Sequence, residues 1–271
     1  MKMPVEPVFV AVDVGNSRLR IGSFSATAPT DRLPEAQWQN ALLHTQLDAP
    51  DWLDDISSQL GDSATPWFVA SVHRPRTAWL EQTLQRVRPG DSLTQLTHQQ
   101  MNIEVALPRP EKVGIDRLAA AVAVNQLRQP GRAAIVIDSG SAVTVDLVDQ
   151  DGRFCGGAIL PGQRMAASAL ARQTDLLPEV RIPARPPVVG EGTEEAIASG
   201  VYWGTVGAVR ELVERMTAEL QAEVELYLTG GGIEWRDEFS GKVHCQPDLV
   251  LAGIALAVGQ RSQLQQDEER S

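Results

Sequence analysis

The feature that most constrains this chain is a strand-and-turn device that occurs twice. Residues 8–12, Val-Phe-Val-Ala-Val, are a short apolar run with three β-branched positions. They end in Asp13-Val14-Gly15-Asn16-Ser17. The run reads as a buried strand, the next residues as a turn, and Leu19 to Phe24 as the returning strand. At an offset of 125 residues, Ala133-Ala-Ile-Val-Ile137 runs into Asp138-Ser139-Gly140-Ser141-Ala142 and then a strand over 143–149. Asp151-Gly152 is a strong hairpin signal, and Phe154 to Leu160 reads as a third strand. A few matched residues would be weak evidence alone. The matched context of buried strand, turn and strand predicts a duplicated unit, with two halves facing each other through equivalent loops. A length of 271 residues suits one large domain or two medium ones and buries a core without disulfide or metal support.

Between the loops lie helical patterns. Residues 51–60 are amphipathic, and 75–88 place Trp79, Leu80, Leu84 and Val87 at helical spacing. Residues 116–128 are Ala-rich and stop at Pro130-Gly131. A long helix is expected over 193–221, where Gly200, Gly204 and Gly207 suggest close helix–helix packing. Val224 to Leu228 reads as a strand entering Thr229-Gly230-Gly231-Gly232. Residues 248–259 form an apolar helix, and the polar tail 260–271 is expected to fray. Strands mixed with helices in this way predict an α/β protein.

Lys+Arg number 24 and Asp+Glu 35, a net charge of −11. This disfavours general attraction to nucleic acid or an anionic membrane, so neither is expected as a partner. An anionic substrate would need a local site of backbone amides, arginines or a cation. Cys155 and Cys245 lie far apart without a Cys/His cluster, which excludes a disulfide scaffold and an ordinary zinc motif. The longest apolar stretch, Leu249 to Val258, is too short to span a bilayer. With Pro4, Glu6 and Pro7 near the start there is no signal-peptide core. The expectation is a soluble cytoplasmic protein.

In Asp13-Val14-Gly15-Asn16-Ser17, Gly15 lets backbone approach a ligand. Successive N–H groups and the Ser17 hydroxyl can surround an anion. Asp13 cannot bind phosphate directly, but it can hold a metal or metal-bound water that bridges to it. An ordinary hairpin explains this loop alone; the second loop at Asp138 favours a grip on one polyphosphate from two sides. Walker A, Gly-x-Gly-x-x-Gly, His-Glu-x-x-His and Gly-x-Ser-x-Gly patterns are all absent from the sequence. Thr229-Gly230-Gly231-Gly232 is either a side-chain-free surface for a base or ribose, or a flexible turn. In Gly114-Ile115-Asp116-Arg117, Asp116 is either a helix cap or a general base beside an anion-clamping arginine. His44, His73, His98 and His244 are scattered and read as surface or structural.

These two aspartate loops and Gly114-Ile115-Asp116-Arg117, together with Gly156-Gly157-Ala158-Ile159-Leu160-Pro161-Gly162 and Thr229-Gly230-Gly231, occur in the order found in the type III pantothenate kinases. The resemblance runs from about residue 8 to residue 258. It implies the actin/sugar-kinase fold: two duplicated ribonuclease H-like halves, with ATP in the cleft between them. The first half would be 1–117, with the first phosphate loop and the substrate motif. The second would be 118–259, with the second phosphate loop and the adenosine loop, its C-terminal helix able to pack back on the first half. Residues 260–271 would be a tail.

The resemblance also implies roles. Asp13, Val14, Gly15, Asn16, Ser17, Arg18, Leu19 and Arg20 would form the first phosphate loop, with Asp13 organising Mg²⁺ indirectly. Gly114, Ile115, Asp116 and Arg117 would meet pantothenate, Asp116 as proton acceptor and Arg117 on the carboxylate. Asp138 would bind K⁺ or ammonium. Ser141, Gly230 and Gly231 would touch ATP, and Thr193 the substrate. Leu107 stands where the family usually has a substrate-contacting Tyr, Ser17 and Ser141 where it usually has Thr, and Ser139 where an apolar or aromatic residue is usual. Family members are homodimers. The implied reaction is ATP-dependent phosphorylation of pantothenate to 4′-phosphopantothenate, which enters coenzyme A synthesis. Two other readings compete. One is a non-catalytic regulatory homologue of the same fold acting as a transcription accessory factor, which would not need Asp13, Asp116, Arg117 and Asp138 together. The other is a different small-molecule kinase of the superfamily; Arg117 argues against a neutral sugar.

Overall fold

A computed structural model describes residues 8–26, 29, 31–47, 51–220 and 222–270; for residue 51 and residues 261–270 it describes the backbone alone. Pro4, Glu6, Pro7, Gln221 and Ser271 lie outside the described residues.

The first sheet contains β1 (Val8–Val14), β2 (Arg18–Ser25), β3 (Trp38–Leu43), β4 (Pro66–Ser71) and β5 (Ser92–Gln95), in the order β3-β2-β1-β4-β5. Helix α1 (Asp51–Leu60) precedes β4 and α2 (Arg74–Val87) follows it; α3 (Ile115–Leu127) comes after β5. The second sheet contains β6 (Ala133–Ser139), β7 (Ala142–Val148), β8 (Phe154–Pro161), β9 (Val224–Gly230) and β10 (Val243–Cys245). Helices α4 (Gln163–Gln173) and α5 (Thr193–Glu219) join β8 to β9, and α6 (Leu249–Arg270) closes the chain.

Pairing in the second sheet repeats that in the first. Its order, β10-β9-β6-β7-β8, is the first order with each strand replaced by its counterpart and the list reversed. β1 runs antiparallel to β2 and parallel to β4, and β6 runs antiparallel to β7 and parallel to β9. The duplication expected from two short loops therefore extends to all ten strands. The edge strands β3 and β5 are mostly exposed, and β10 has three residues, so none carries a clear period. β4 is interior and begins with Pro66, a position that tolerates the missing N–H.

The chain divides into two compact units. The first holds residues up to 104, 108–127 and the chain from 249 onward; the second holds 105–107 and 128–248. The expected division after residue 117 falls inside α3, which belongs whole to the first unit. There α3 packs against α6. Both helices are apolar all round over their buried lengths, Leu118–Val124 and Leu249–Val258, so both must be interior. Small residues let them close up: a Cβ on Gly253 would collide with the Ala119 carbonyl. Helix α6 extends through 260–270, a run free of Gly and Pro.

Strand alternation separates core from site. Val10, Val12 and Val14 of β1 join Trp67 and Val69 of β4 in a cluster covered by Trp52, Leu53 and Ile56 of α1 and Leu80 and Leu84 of α2. Asp13 therefore points to the opposite face of its sheet. In the second unit Ile135, Ile137, Val143, Val145, Leu226 and Leu228 pack under Tyr202, Val206 and Val209 of α5, and Asp138 again takes the other face.

Candidate active site

In the first unit only Gly15, Asn16 and Ser17 form the turn between β1 and β2. The Gly15 N–H donates to the Arg18 carbonyl at 3.0 Å and closes it. Asp13 lies within β1, paired with Arg20 across the ladder, and is 9% exposed. Val14 and Leu19 bury their side chains in the core, so only their backbones are available to a ligand. Asn16 and Arg18 are exposed and Arg20 is half-buried.

Asp116 is the second residue of α3, within the first turn, and Gly114 rather than Asp116 precedes the helix. The Gly114 carbonyl accepts the N–H groups of Arg117 and Leu118 at 3.1 and 3.3 Å. The Asp116 Oδ1 accepts the Arg117 backbone N–H at 2.9 Å. A Cβ on Gly114 would come within 2.6 Å of that Oδ1, so the glycine makes room for the carboxylate. Burial pushes the Asp116 carboxyl above its ordinary value; the Arg117 N–H and charge only partly offset this. A carboxyl whose pKa is raised by burial is a stronger proton acceptor than a free one.

In the second unit β6 and β7 are joined by a turn closed by Gly140 N–H to the Ala142 carbonyl at 2.9 Å. Ser141 is half-buried. A Cβ on Gly162 would lie 2.5 Å from the Ser141 carbonyl and 2.6 Å from that of Gly140. The Gly162 of the quoted Gly-Gly-Ala-Ile-Leu-Pro-Gly stretch therefore supports this turn. Gly157 serves β7–β8 packing, since a Cβ there would strike the Val145 carbonyl.

Thr229-Gly230-Gly231-Gly232 is not a flexible turn. Thr229 and Gly230 end β9, and Gly231–Glu238 forms a 3₁₀ segment anchored by buried Trp235. Gly231 is exposed and Gly232 is buried, so the flat face expected of three glycines is limited to Gly230 and Gly231. Gly230 has φ +61°, and a Cβ on it would fall 2.5 Å from the Asp138 Oδ1 and 2.6 Å from the Ser139 carbonyl. Both conformation and space require glycine. The parallel pairing of β6 and β9 thus brings Asp138, Ser139, Gly230 and Gly231 together.

Leu107 packs beside Gly156, where a Cβ would lie 3.4 Å from its Cδ2. Thr193 opens α5 and is exposed. The preceding segment folds back over the helix: Ser199 Oγ donates to the Val188 carbonyl at 2.6 Å, and Trp203 Nε1 to that of Pro186 at 3.2 Å. Thr193 lines an open groove of about 960 Å³ with Leu160, Pro161, Leu170, Gly200 and Gly204. The expected helix contact at the α5 glycines is absent among the described residues: a Cβ on Gly200, Gly204 or Gly207 would meet nothing within 4 Å.

No group of three His, Cys, Asp or Glu side chains forms a metal set among the described residues. Mg²⁺ does not require one, because it commonly takes one or two carboxylates and completes its shell with phosphate oxygens and water. Buried Asp13 beside the open Gly15 turn fits that mode. Asp138 and the Ser139 carbonyl, both held close to Gly230, supply oxygen donors of the kind a hard cation takes.

The candidate residues divide between the units: Asp13–Arg20 and Gly114–Arg117 both lie in the first, while in the second the β6–β9 pairing brings Asp138 and Ser139 against Gly230. A third grouping was read as unrelated side chains. His44 and His73, 29 positions apart, stack edge to face with ring centroids at 5.1 Å, beside Ser17 and Arg18. No local spacing signals this pair, because the β1–β2–β3 and β1–β4 pairings create it.

The fold is shared with solved structures at low identity. A candidate 2-dehydro-3-deoxygalactonokinase from Sinorhizobium meliloti superposes with a TM-score of 0.55 at 15% identity, covering 93% of this chain and 99% of that one. The activator of 2-hydroxyisocaproyl-CoA dehydratase from Clostridium difficile gives 0.52 at 13%, covering 96% and 97%. Together with the duplicated sheets, these neighbours show that the two-sheet α/β fold is shared with them. Sequence relatives are more specific. A type III pantothenate kinase of Dehalococcoides mccartyi is 31% identical over 258 residues, 91% of this chain and 95% of its own. One of Legionella pneumophila is 40% identical over 157 residues, 57% of this chain and 61% of its own. Residues 9–215 match the type III pantothenate kinase family, which spans both aspartate turns, the Asp116 motif and Thr193. The chain belongs to the type III pantothenate kinase family.

Proposed function

We propose that the protein transfers the γ-phosphoryl group of ATP to the 4′-hydroxyl of pantothenate, forming 4′-phosphopantothenate and ADP at the entry to coenzyme A synthesis. The observation that carries the reading is Asp116: a carboxyl raised by burial at the start of α3, next to Arg117, in a chain of this family.

Asp116 Oδ1 is engaged by the Arg117 N–H, which leaves Oδ2 to take the hydroxyl proton. As that proton leaves, the pantothenate oxygen bonds to the γ-phosphorus and the bond to the β,γ-bridging oxygen breaks. Phosphoryl transfer needs little else but alignment and charge neutralisation. Arg117 binds the pantothenate carboxylate through its planar fork. Gly114 and Ile115 shape the approach, Thr193 contributes a hydroxyl, and Leu107 offers only apolar contact. The Gly15–Ser17 turn presents backbone N–H groups and a hydroxyl to phosphate oxygens, with Arg18 and Arg20 nearby. Ser141, Gly230 and Gly231 meet the rest of the nucleotide. Mg²⁺, organised by Asp13, supplies charge neutralisation on the phosphates when bound. Asp138 and the Ser139 carbonyl hold K⁺ or ammonium.

We further read the enzyme as a cytoplasmic homodimer. The cysteines are free, and no helix among the described residues is long and apolar enough to cross a membrane. Met165, Leu170 and Ile159 are exposed on α4 and β8, beside the groove that contains Thr193.

A coupled ADP-release assay tests the function. ADP should appear only with pantothenate, and the rate should drop when Na⁺ replaces K⁺ at constant ionic strength. Asp138→Ala should lose the difference between the salts. ADP release that ignores pantothenate would refute the assignment; equal rates in both salts would remove the cation role of Asp138 alone.

A further inference from the structure

Thr193 is the candidate substrate residue whose position the local sequence least explains. It is the first residue of α5, and Gly192 before it offers no side chain to cap the helix. A helix start without a cap frays, because its first N–H groups lack partners. Here the preceding chain fixes it instead. The Glu191 N–H donates to Glu195 Oε2 at 2.9 Å, and the Ala196 N–H to the Gly192 carbonyl at 2.9 Å. Gly190 lies so close to the Glu195 and Ala196 backbone that a Cβ there would collide with it. The placement of Thr193 therefore depends on the strap formed by residues 186–192.

Burial of its own side chains does not hold that strap. Ile182 packs on the core and Pro186 is buried, but Pro187, Val188 and Val189 are exposed, the two valines by 71% and 79%. Two side chains one turn apart on α5 hold its backbone. The buried Ser199 donates Oγ to the Val188 carbonyl at 2.6 Å, and Trp203 donates Nε1 to the Pro186 carbonyl at 3.2 Å. Trp203 is fixed in turn. Tyr202 meets its ring edge-on at 4.9 Å, and the Arg185 guanidinium lies over it at 5.9 Å while bonding Glu238 at 3.0 Å. All these groups belong to the second unit.

We propose that Ser199 and Trp203 are positioning residues for pantothenate. By gripping the carbonyls of Val188 and Pro186 they hold the strap on α5, and the strap holds the Thr193 hydroxyl where substrate meets it. The Ser199 hydroxyl and the Trp203 indole N–H are both committed to the strap, so they act on substrate only through Thr193.

This inference rests on the reading of Thr193 as a substrate contact, and the experiment separates the two. KM and kcat would be measured for both substrates in Thr193→Val, Ser199→Ala and Trp203→Phe, and in each of the last two combined with Thr193→Val. Trp203→Phe keeps an aromatic ring and deletes the N–H donor; Ser199→Ala deletes the hydroxyl. Loss of one neutral hydrogen bond corresponds to about two- to twelvefold in affinity. Thr193→Val should raise KM for pantothenate within that range. Ser199→Ala and Trp203→Phe should each raise it by about twofold or more, without exceeding Thr193→Val, and leave kcat and KM for ATP unchanged. On the Thr193→Val background neither should raise it further, because no hydroxyl remains to be misplaced. If Thr193→Val leaves KM for pantothenate unchanged, Thr193 is not a substrate contact, and the earlier reading fails together with this one. If Thr193→Val raises it and neither Ser199→Ala nor Trp203→Phe does, the positioning role alone is overturned. The same conclusion follows if either variant multiplies KM equally with and without the Thr193 hydroxyl. Should Ser199→Ala not fold, Trp203→Phe decides by the same comparison.

Discussion

Replacing Asp116 by Asn should move activity and stability in opposite directions. Asn is nearly isosteric, so it fits the space that Gly114 leaves beside Oδ1, where a Cβ on residue 114 would lie only 2.6 Å away. Its carbonyl can still accept the Arg117 N–H that Oδ1 accepts at 2.9 Å. What disappears is the proton acceptor. General base catalysis of this kind contributes about 10²–10⁴-fold, or roughly 3–5 kcal/mol of barrier, and kcat should fall by that factor. The effect on folding follows from the direction of the pKa shift. Burial raises Asp116 in the folded state despite the opposing Arg117 contacts. The folded chain therefore holds its proton to higher pH than the unfolded chain does. The stability this contributes is complete below the ordinary carboxyl range and is lost as pH rises through the folded value. An Asn at 116 never ionises, so at pH 7.5 the variant should melt above the parent, and the gap should vanish in acid. The lost attraction to the α3 N-terminus, about 0.3–1 kcal/mol, opposes this, but the upward shift shows that burial is the larger effect. The assays are coupled ADP release and thermal unfolding at pH 7.5 and pH 4. A variant that turns over pantothenate within about threefold of the parent would show that Asp116 is not the base. One that melts below the parent at neutral pH would show that burial does not dominate its environment.

Arg117→Lys keeps the charge but loses the planar fork, so KM for pantothenate should rise by about 10- to 150-fold while KM for ATP stays nearly constant; pantothenol, which lacks the carboxylate, should be a poor substrate for the parent and lose little more in the variant. A rise in KM for ATP alone would assign Arg117 to the phosphates. Gly253→Ala should lower the thermal midpoint by roughly 2–12 °C, because its new methyl strikes the Ala119 backbone carbonyl and forces α6 off α3. Gly207→Ala, in a helix where a Cβ meets nothing within 4 Å, should instead stabilise by about 0.5–1 kcal/mol, and an equal loss in both variants would refute the packing explanation.

What the sequence determined by itself was local. A buried apolar run, an aspartate and a glycine turn specify a strand and its hairpin within about fifteen residues, and finding that unit twice was enough to expect two related halves. Asp116 and Arg117 were legible for the same reason, since adjacent residues at a helix start need no tertiary information to meet. Other features depended on partners distant in the chain. Whether α3 belonged to the first or second half was decided by α6, more than a hundred residues later, whose apolar stretch Leu249–Val258 packs on the apolar stretch Leu118–Val124. Gly230 acquired its purpose only when β9 paired in parallel with β6 and brought the Asp138 carboxylate against it. The α5 glycines had the spacing of a packed helix pair, yet they face open space. His44 read as one of four scattered histidines, surface or structural, and only sheet order placed its ring against His73 and its backbone N–H on the first turn. Periodicity reports which face of an element is apolar. It carries no record of which other element arrives there, and that depends on strand order and on pairings across long stretches of chain.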